Sequence, residues 1–176
     1  MQLHRTPLLA GAMAMLLLAF ATASHARDEA MTAEEFIDDA SALNTGELNA
    51  ADIALDKEDA SQEVRDFAQT LRNDHRQVQE KLKELAQQRK DADLSMLSDA
   101  ESMAAAAKLM VMGGDAFDAD FAEAQVNAHR KFISFMEEAE KRLEDEELKR
   151  FASEQLPTLR KHLKTAEQLQ EAHPQQ

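Results

Sequence analysis

Four long stretches of this chain place apolar residues at alternating spacings of three and four, and this periodicity constrains the fold more than any other feature. Only 4 glycines and 3 prolines occur among the 176 residues, so little interrupts the pattern. Alanine, leucine, glutamate, lysine and glutamine are abundant, and all favour helix. No run of residues has the alternation expected of a strand. The sequence therefore predicts an all-α protein, and its length is that of one ordinary domain.

The periodic stretches define four long helices. Their predicted ranges, in chain order, are 32–57, 61–89, 115–143 and 146–172. Each range begins at or next to a residue type that caps helix N-termini, and these residues are Thr32, Ser61, Asp115 and Asp145. Thr32 also forms a capping-box pattern with Glu35. Short turns join the first helix to the second and the third to the fourth, which predicts two antiparallel hairpins.

The segment between the hairpins is too long for a tight turn. It covers residues 90–114 and carries its own short helix, predicted over about 99–112. Two antiparallel hairpins joined by one long crossover are typical of ferritin-like four-helix bundles, whereas simple up-down bundles use short loops throughout. The sequence therefore predicts a ferritin-like four-helix bundle over residues 27–176.

Residues 1–26 have the pattern of a secretory signal peptide. His4 and Arg5 precede an apolar run over 8–20, and small residues follow up to Ala26, after which we expect cleavage. The apolar run is too short for a membrane span, so none is expected in the mature chain. We therefore expect export through a cleavable signal peptide, with the bacterial periplasm as the destination.

The chain is strongly acidic. Its formal net charge is −14, and removal of residues 1–26 takes away Arg5 and no acidic residue, which leaves −15. Such a charge repels nucleic acid and anionic lipid, so neither is expected as a partner. It favours metal cations or a basic protein partner, although an acidic surface that merely keeps the protein soluble accounts for the charge equally well.

Each long helix carries one polar side chain in its apolar register. These residues, in chain order, are Glu47, His75, His129 and His162. The three histidines each lie about 16 residues from the turn of their hairpin, and Glu47 lies about 12 residues from its turn, which is a difference of roughly 5 Å in height. All four side chains can therefore meet in one layer at the middle of the bundle.

Helical bundles build metal sites from imidazole and carboxylate groups that converge from facing helices. Three histidines and one glutamate would suit one ion of zinc, iron, copper or manganese. Asp74 and Gln125 lie beside this set in the sequence and are candidates for orienting the ring nitrogens. The alternative is a structural or partner-binding bundle, in which the same residues form a polar layer that fixes helix register without a metal.

A di-iron oxidoreductase is the least favoured function. Di-iron bundles carry Glu-x-x-His pairs on two helices, but the residues three positions before the histidines are Arg72, Val126 and Leu159. The chain also lacks cysteine and a phosphate-binding glycine loop. A binding protein is therefore expected rather than an enzyme.

Four separated stretches resemble the exported bacterial proteins of domain-of-unknown-function family 4142. They read GELNAADIAL, NDHRQ, GGDAFDADFAEAQVNAH and EQLPTLRKHL in chain order, and the resemblance covers nearly all of the expected mature chain. It implies a ferritin-like bundle and a location in the cell envelope. It also implies that Glu47, Asp74, His75, Gln125, His129 and His162 stand at motif positions of the family, but it implies no particular activity.

Overall fold

The computed structural model describes residues 30–89, 94 and 98–175, so the predicted signal peptide lies outside the described residues. Five helices account for most of the described chain: α1 (Ala33–Asp56), α2 (Gln62–Gln87), α3 (Ala100–Val111), α4 (Gly114–Arg142) and α5 (Glu146–Ala172). Strands are absent from the described ranges, apart from an isolated bridge between Met31 and Leu143. The prediction of an all-α bundle is confirmed. Within the same ranges, no helix combines the length and apolar character that a membrane span requires.

The four long helices form two hairpins. Helix α1 packs along α2, and α4 packs along α5, while α3 lies against α1 and α4 on the outside of the bundle. The hairpins then pack together through contacts of α1 with α4 and of α2 with both α4 and α5. This arrangement turns one face of each long helix toward a common interior.

Local capping fixes where most of the helices begin. Thr32 and Glu35 form the expected capping box, and the side chains of Ser61 and Asp145 accept hydrogen bonds from backbone amides of α2 and α5. The expectation that Asp115 caps α4 is wrong. The helix begins at Gly114, its N-cap residue is Gly113, and Asp115 lies inside the first turn.

The α4 terminus is instead held from the other hairpin. The Asp59 carboxylate, in the turn between α1 and α2, accepts a hydrogen bond of 2.7 Å from the backbone amide of Gly114. A Cβ atom on Gly113 would lie 2.7 Å from that carboxylate oxygen, so a side chain there would displace the Asp59 carboxylate from the Gly114 amide. The cap is therefore a tertiary contact rather than a local one.

The interior consists of two apolar clusters. One cluster includes Phe36, Leu82, Phe132, Met136 and Phe151, and the other includes Phe67, Leu71, Phe117, Phe121 and Leu169. The histidines of α2, α4 and α5 lie between these clusters in sequence, since each is flanked on its own helix by members of both. The polar residues therefore occupy a layer with apolar packing on both sides.

Candidate metal centre

Three buried histidines converge from three helices. His75 comes from α2, His129 from α4 and His162 from α5, and each side chain is at most 2% exposed. One ring nitrogen of each lies within 4.8 Å of the corresponding nitrogens of the other two. The ring centroids are 5.3 to 5.7 Å apart. We refer to His75, His129 and His162 as the histidine triad.

The outward nitrogen of His75 is fixed by Asn44 on α1. The Asn44 amide nitrogen donates to the backbone carbonyl of His75 at 3.0 Å and to Gln79 Oε1 at 2.9 Å. This orients the Asn44 carbonyl oxygen toward His75 Nδ1, which lies 2.9 Å away. His75 Nδ1 therefore donates, and the lone pair of the neutral ring lies on Nε2.

The other two rings are fixed in the same way. His129 Nδ1 lies 2.9 Å from the backbone carbonyl of Gln125, and His162 Nε2 lies 2.9 Å from Asp74 Oδ2. A carbonyl or a carboxylate can only accept, so both ring nitrogens carry the proton. The lone pairs of the neutral rings therefore lie on His129 Nε2 and His162 Nδ1.

The remaining nitrogen of each ring is buried without a partner. Among the described residues, no hydrogen-bond partner contacts His75 Nε2, His129 Nε2 or His162 Nδ1. Leaving a buried acceptor unpaired costs about 1–3 kcal/mol per group. Three such acceptors in one layer therefore form an expensive arrangement, which a cation bound between them would relieve.

Burial keeps the triad neutral. It lowers the pKa of His129 to about 4, although the hydrogen bond to the Gln125 carbonyl opposes the shift. Burial and then the neighbouring histidines lower the pKa of His75 well below its ordinary value. Burial also lowers the pKa of His162, and the adjacent Asp74 partly offsets that effect. At neutral pH all three rings can therefore donate a lone pair to a metal.

Glu47 lies behind His129 and outside the triad. Its Oε1 is 3.6 Å from His129 Nδ1, the nitrogen that donates to the Gln125 carbonyl. Burial raises the pKa of Glu47 to about 8, although a hydrogen bond with the Gln125 side chain lowers it. Within the described chain, Glu47 Oε2 is buried and has no partner.

The residues that orient the histidine rings could be predicted only in part from the sequence. Asp74 was a predicted site residue because it lies next to His75 in the sequence. In the structure its carboxylate contacts His162 on α5 instead. Gln125 contributes its backbone carbonyl, which any residue type would provide. Asn44 was not among the predicted site residues, and its position in the inner register one turn before Glu47 was the available signal.

The triad can hold one cation through three neutral nitrogen ligands. Imidazole suits zinc, copper, iron and nickel, and three protein ligands leave a coordination position for water or another small ligand. Acceptors on the outward nitrogens, as seen here, orient metal-binding histidines and increase their basicity. The residues present therefore fit a transition-metal site.

One solved structure shares the overall fold. It is described as "CopM in the Cu(II)-bound form", and it superposes with a TM-score of 0.66 at 15% sequence identity. The match covers 79% of this chain and 95% of the other chain. At this identity the likeness establishes a common helical-bundle fold.

The family assignment comes from the sequence. No curated protein matches the chain significantly. A family described as "Domain of unknown function (DUF4142)" matches residues 19–169, which includes α1, α2, α4, most of α5 and the whole triad. The chain therefore belongs to the DUF4142 family.

Proposed function

We propose that the protein binds one transition-metal ion between His75, His129 and His162. The observation that carries this proposal is the pairing pattern of the three rings. Each ring donates from its outward nitrogen to a fixed acceptor and leaves its other nitrogen buried and unpaired. This pattern supplies three oriented lone pairs, which is the requirement of a metal site.

The alternative of a purely structural polar layer is less well supported. A layer that fixes helix register is stabilising when its members satisfy one another's hydrogen bonds. Here the rings contact one another with no donor among the described residues for the three lone pairs. A metal ion bound between the rings would use all three lone pairs, whereas contacts among the described residues use none of them.

Copper and zinc are the ions that we favour. Nitrogen ligands bind first-row divalent metals with affinities that rise from manganese and iron to copper, with zinc close behind. Manganese prefers oxygen ligands, and Glu47 stands outside the triad. The similar bundle described in a Cu(II)-bound form makes copper the first ion to test.

We further propose that the site serves to hold metal outside the cytoplasm. The signal-peptide pattern of residues 1–26 supports export to the periplasm, and the net charge of −14 favours the approach of cations. Sequestration of a reactive metal during stress would be a physiological use of such a protein. Binding, rather than turnover, is the activity that we assign.

Equilibrium titration of the metal-free protein tests the proposal. Copper(I), copper(II), zinc, iron(II) and manganese(II) are each added to wild type and to His75→Leu, His129→Leu and His162→Leu. The matched control is His173→Leu, a histidine outside the triad at the end of α5. We expect one equivalent of copper or zinc in wild type and control, and loss of that equivalent in each triad variant. Absence of stoichiometric binding by wild type would refute the proposal.

A further inference from the structure

A small cavity lies between α1, α3 and α4, beside the triad. Its volume is about 90 Å³, enough for a partly hydrated metal ion. Small side chains create the space, and polar or charged side chains complete the walls. The small residues are Ala105, Ala124 and Ala128, and the polar or charged residues include Ser102, Asn127 and the ion pair of Glu101 with Lys131.

Two residues join this cavity to the triad. Glu47 lines the cavity, and its Oε1 lies 3.6 Å from His129 Nδ1. Phe132 also lines it, and its ring stacks on His75 with the centroids 6.1 Å apart. A single layer of side chains therefore separates the cavity from the triad.

Glu47 is the side chain in this layer with an unused ligand atom. The residue is 3% exposed, and its Oε2 has no hydrogen-bond partner in the described part of the chain. A carboxylate oxygen is a ligand for divalent cations. Because burial raises the pKa of Glu47 to about 8, an arriving cation binds in exchange for the carboxyl proton, which is released to solvent. The cavity therefore contains a buried carboxyl oxygen available to an ion that arrives from solvent.

The roof of the cavity is the helix with the fewest interior contacts. Among its described residues, α3 fully buries one side chain, Leu109. Ion pairs of Lys131 with Asp99 at 2.8 Å and with Glu101 at 3.1 Å tie the start of α3 to α4. Partly exposed ion pairs are worth about 1 kcal/mol or less each, so the start of α3 can open at low cost. The end of α3 is held to α4 by a further ion pair with the buried Asp120.

We propose that this cavity is the path by which a metal ion reaches the histidine triad, and that Glu47 is the group that first binds the ion. This inference rests on the proposed metal-binding function and assigns Glu47 a transfer role in place of the resident role expected from the sequence. Glu47 faces His129 Nδ1 and not the unpaired Nε2, so transfer of the ion to the triad requires the His129 ring to turn and release the Gln125 carbonyl. Glu47 is not a ligand in the loaded state.

A groove on the opposite side of the bundle is the competing path. It lies between α2 and α5 and is lined in part by Asp74, Gln155 and Thr158. Asp74 Oδ2 is already bonded to His162 Nε2, and the Asp74 side chain is 36% exposed, whereas Glu47 is 3% exposed. Glu47 has an unpaired oxygen, so we favour the cavity on the α3 side.

Rates of metal loading test this inference. Uptake of copper(II) and zinc by the metal-free protein is followed by stopped-flow competition with a coloured chelator, and the final stoichiometry is measured in the same samples. Glu47→Gln removes the carboxylate while preserving side-chain size. Ala105→Leu fills the cavity from α3, and Ala107→Leu is its control, because Ala107 is exposed and lines a different groove. Thr158→Leu obstructs the competing path.

We expect Glu47→Gln and Ala105→Leu to load at least tenfold more slowly than wild type and to reach one equivalent. Ala107→Leu and Thr158→Leu should load at the wild-type rate. Three results would each overturn the inference. The first is wild-type loading rates in both Glu47→Gln and Ala105→Leu, and the second is slow loading of Thr158→Leu alone. The third is weaker equilibrium binding by Glu47→Gln at an unchanged loading rate. These outcomes leave metal binding by the triad intact, whereas failure of wild type to bind metal would remove the proposed function itself.

Discussion

At the scale of single residues, the outward nitrogen of each histidine decides what its inward nitrogen can do. A ring that donates to a fixed acceptor cannot rotate or change tautomer without losing that bond. Asn44, Gln125 and Asp74 supply these acceptors from three different helices. The inward lone pairs are therefore oriented before any ion arrives.

Asp74→Asn tests the importance of this orientation. The amide is a weaker acceptor than the carboxylate and lowers the basicity of His162. We expect metal affinity to fall about 10-fold to 100-fold while the stoichiometry stays at one. Competition with a chelator of known affinity measures the change, and Glu80→Gln on the exposed side of α2 is the control. Equal affinities for Asp74→Asn and wild type would contradict the orienting role.

The stability of the metal-free protein should fall as the pH decreases from about 6.5 toward 4. The triad pKa values are lowered by burial, to about 4 for His129, so the unfolded chain binds more protons than the folded chain in this range. Glu47, with a pKa of about 8, acts in the opposite direction but contributes one group against three. Each net proton corresponds to about 1.4 kcal/mol per pH unit.

Denaturant unfolding at several pH values measures this slope. His129→Asn removes one of the three groups and should make the loss of stability at acidic pH shallower than in wild type. An identical pH dependence in the variant and wild type would show that the triad does not titrate in this way. Chelator is present throughout, so that metal release does not contribute.

The sequence indicates the histidines because each occupies the apolar register of a long helix. It cannot indicate how the rings are oriented, since Asp74 reaches His162 from another helix and the partner of His129 is a backbone carbonyl. The register also places Glu47 on an inner face, but its carboxyl group lies beside the outward nitrogen of His129 and outside the triad. Such details depend on side-chain packing that periodicity does not encode.

At the scale of helices, the close approach of α3 to α1 depends on one glycine. A Cβ atom at Gly46 would lie 2.5 Å from Ser102 Oγ and 2.6 Å from Ser102 Cβ. No side chain fits there unless α3 moves. The position of the cavity roof is therefore set by the pair Gly46 and Ser102.

Gly46→Ala should displace α3 and destabilise the protein by about 1–3 kcal/mol through overpacking. Ser102→Gly in the same chain removes the clashing atoms and should recover part of this loss. A double-mutant cycle by chemical denaturation measures the coupling. Additive effects of the two substitutions would contradict a direct contact between these positions.

The presence of a helix can be predicted from the sequence more readily than the contacts between helices can. Long amphipathic stretches and local caps such as Thr32 with Glu35 are encoded within a few residues. The start of α4 is not, because Asp59 supplies its capping contact from the first hairpin. A residue 55 positions away in sequence leaves no local pattern at Gly114.

At the scale of the whole molecule, the triad joins both hairpins. His75 belongs to the first hairpin, and His129 and His162 belong to the second. An ion bound by all three would therefore link the hairpins, in addition to the apolar clusters on either side of the layer. Under the proposed function, ligation by both hairpins would make metal binding part of the stability of the bundle.

Metal addition should raise the melting temperature. Binding to the folded state alone stabilises it by about 2.7 kcal/mol when free metal is one hundred times the dissociation constant. For a chain of this length, that corresponds to a rise of roughly 5–11 °C. Calorimetry of wild type and His162→Leu with and without copper or zinc measures the difference, and an equal response in both proteins would contradict binding at the triad.

The all-α bundle was predictable because helical periodicity and two short turns leave few ways to pack four long helices. The three unpaired histidine nitrogens could not be predicted from the sequence, because they become evident only when all three rings and their partners are placed together. The spacing of apolar residues in the sequence thus predicts the fold, whereas the geometry of the site depends on tertiary contacts.

The most direct test is the metal content of the native protein. Wild type is purified from its native cells without an affinity tag or chelator, beside a variant with all three triad histidines changed to leucine. Both proteins are analysed by elemental mass spectrometry. We predict close to one equivalent of copper or zinc in wild type and none in the variant. Less than a tenth of an equivalent in wild type, together with no thermal shift on addition of either metal, would contradict the central claim.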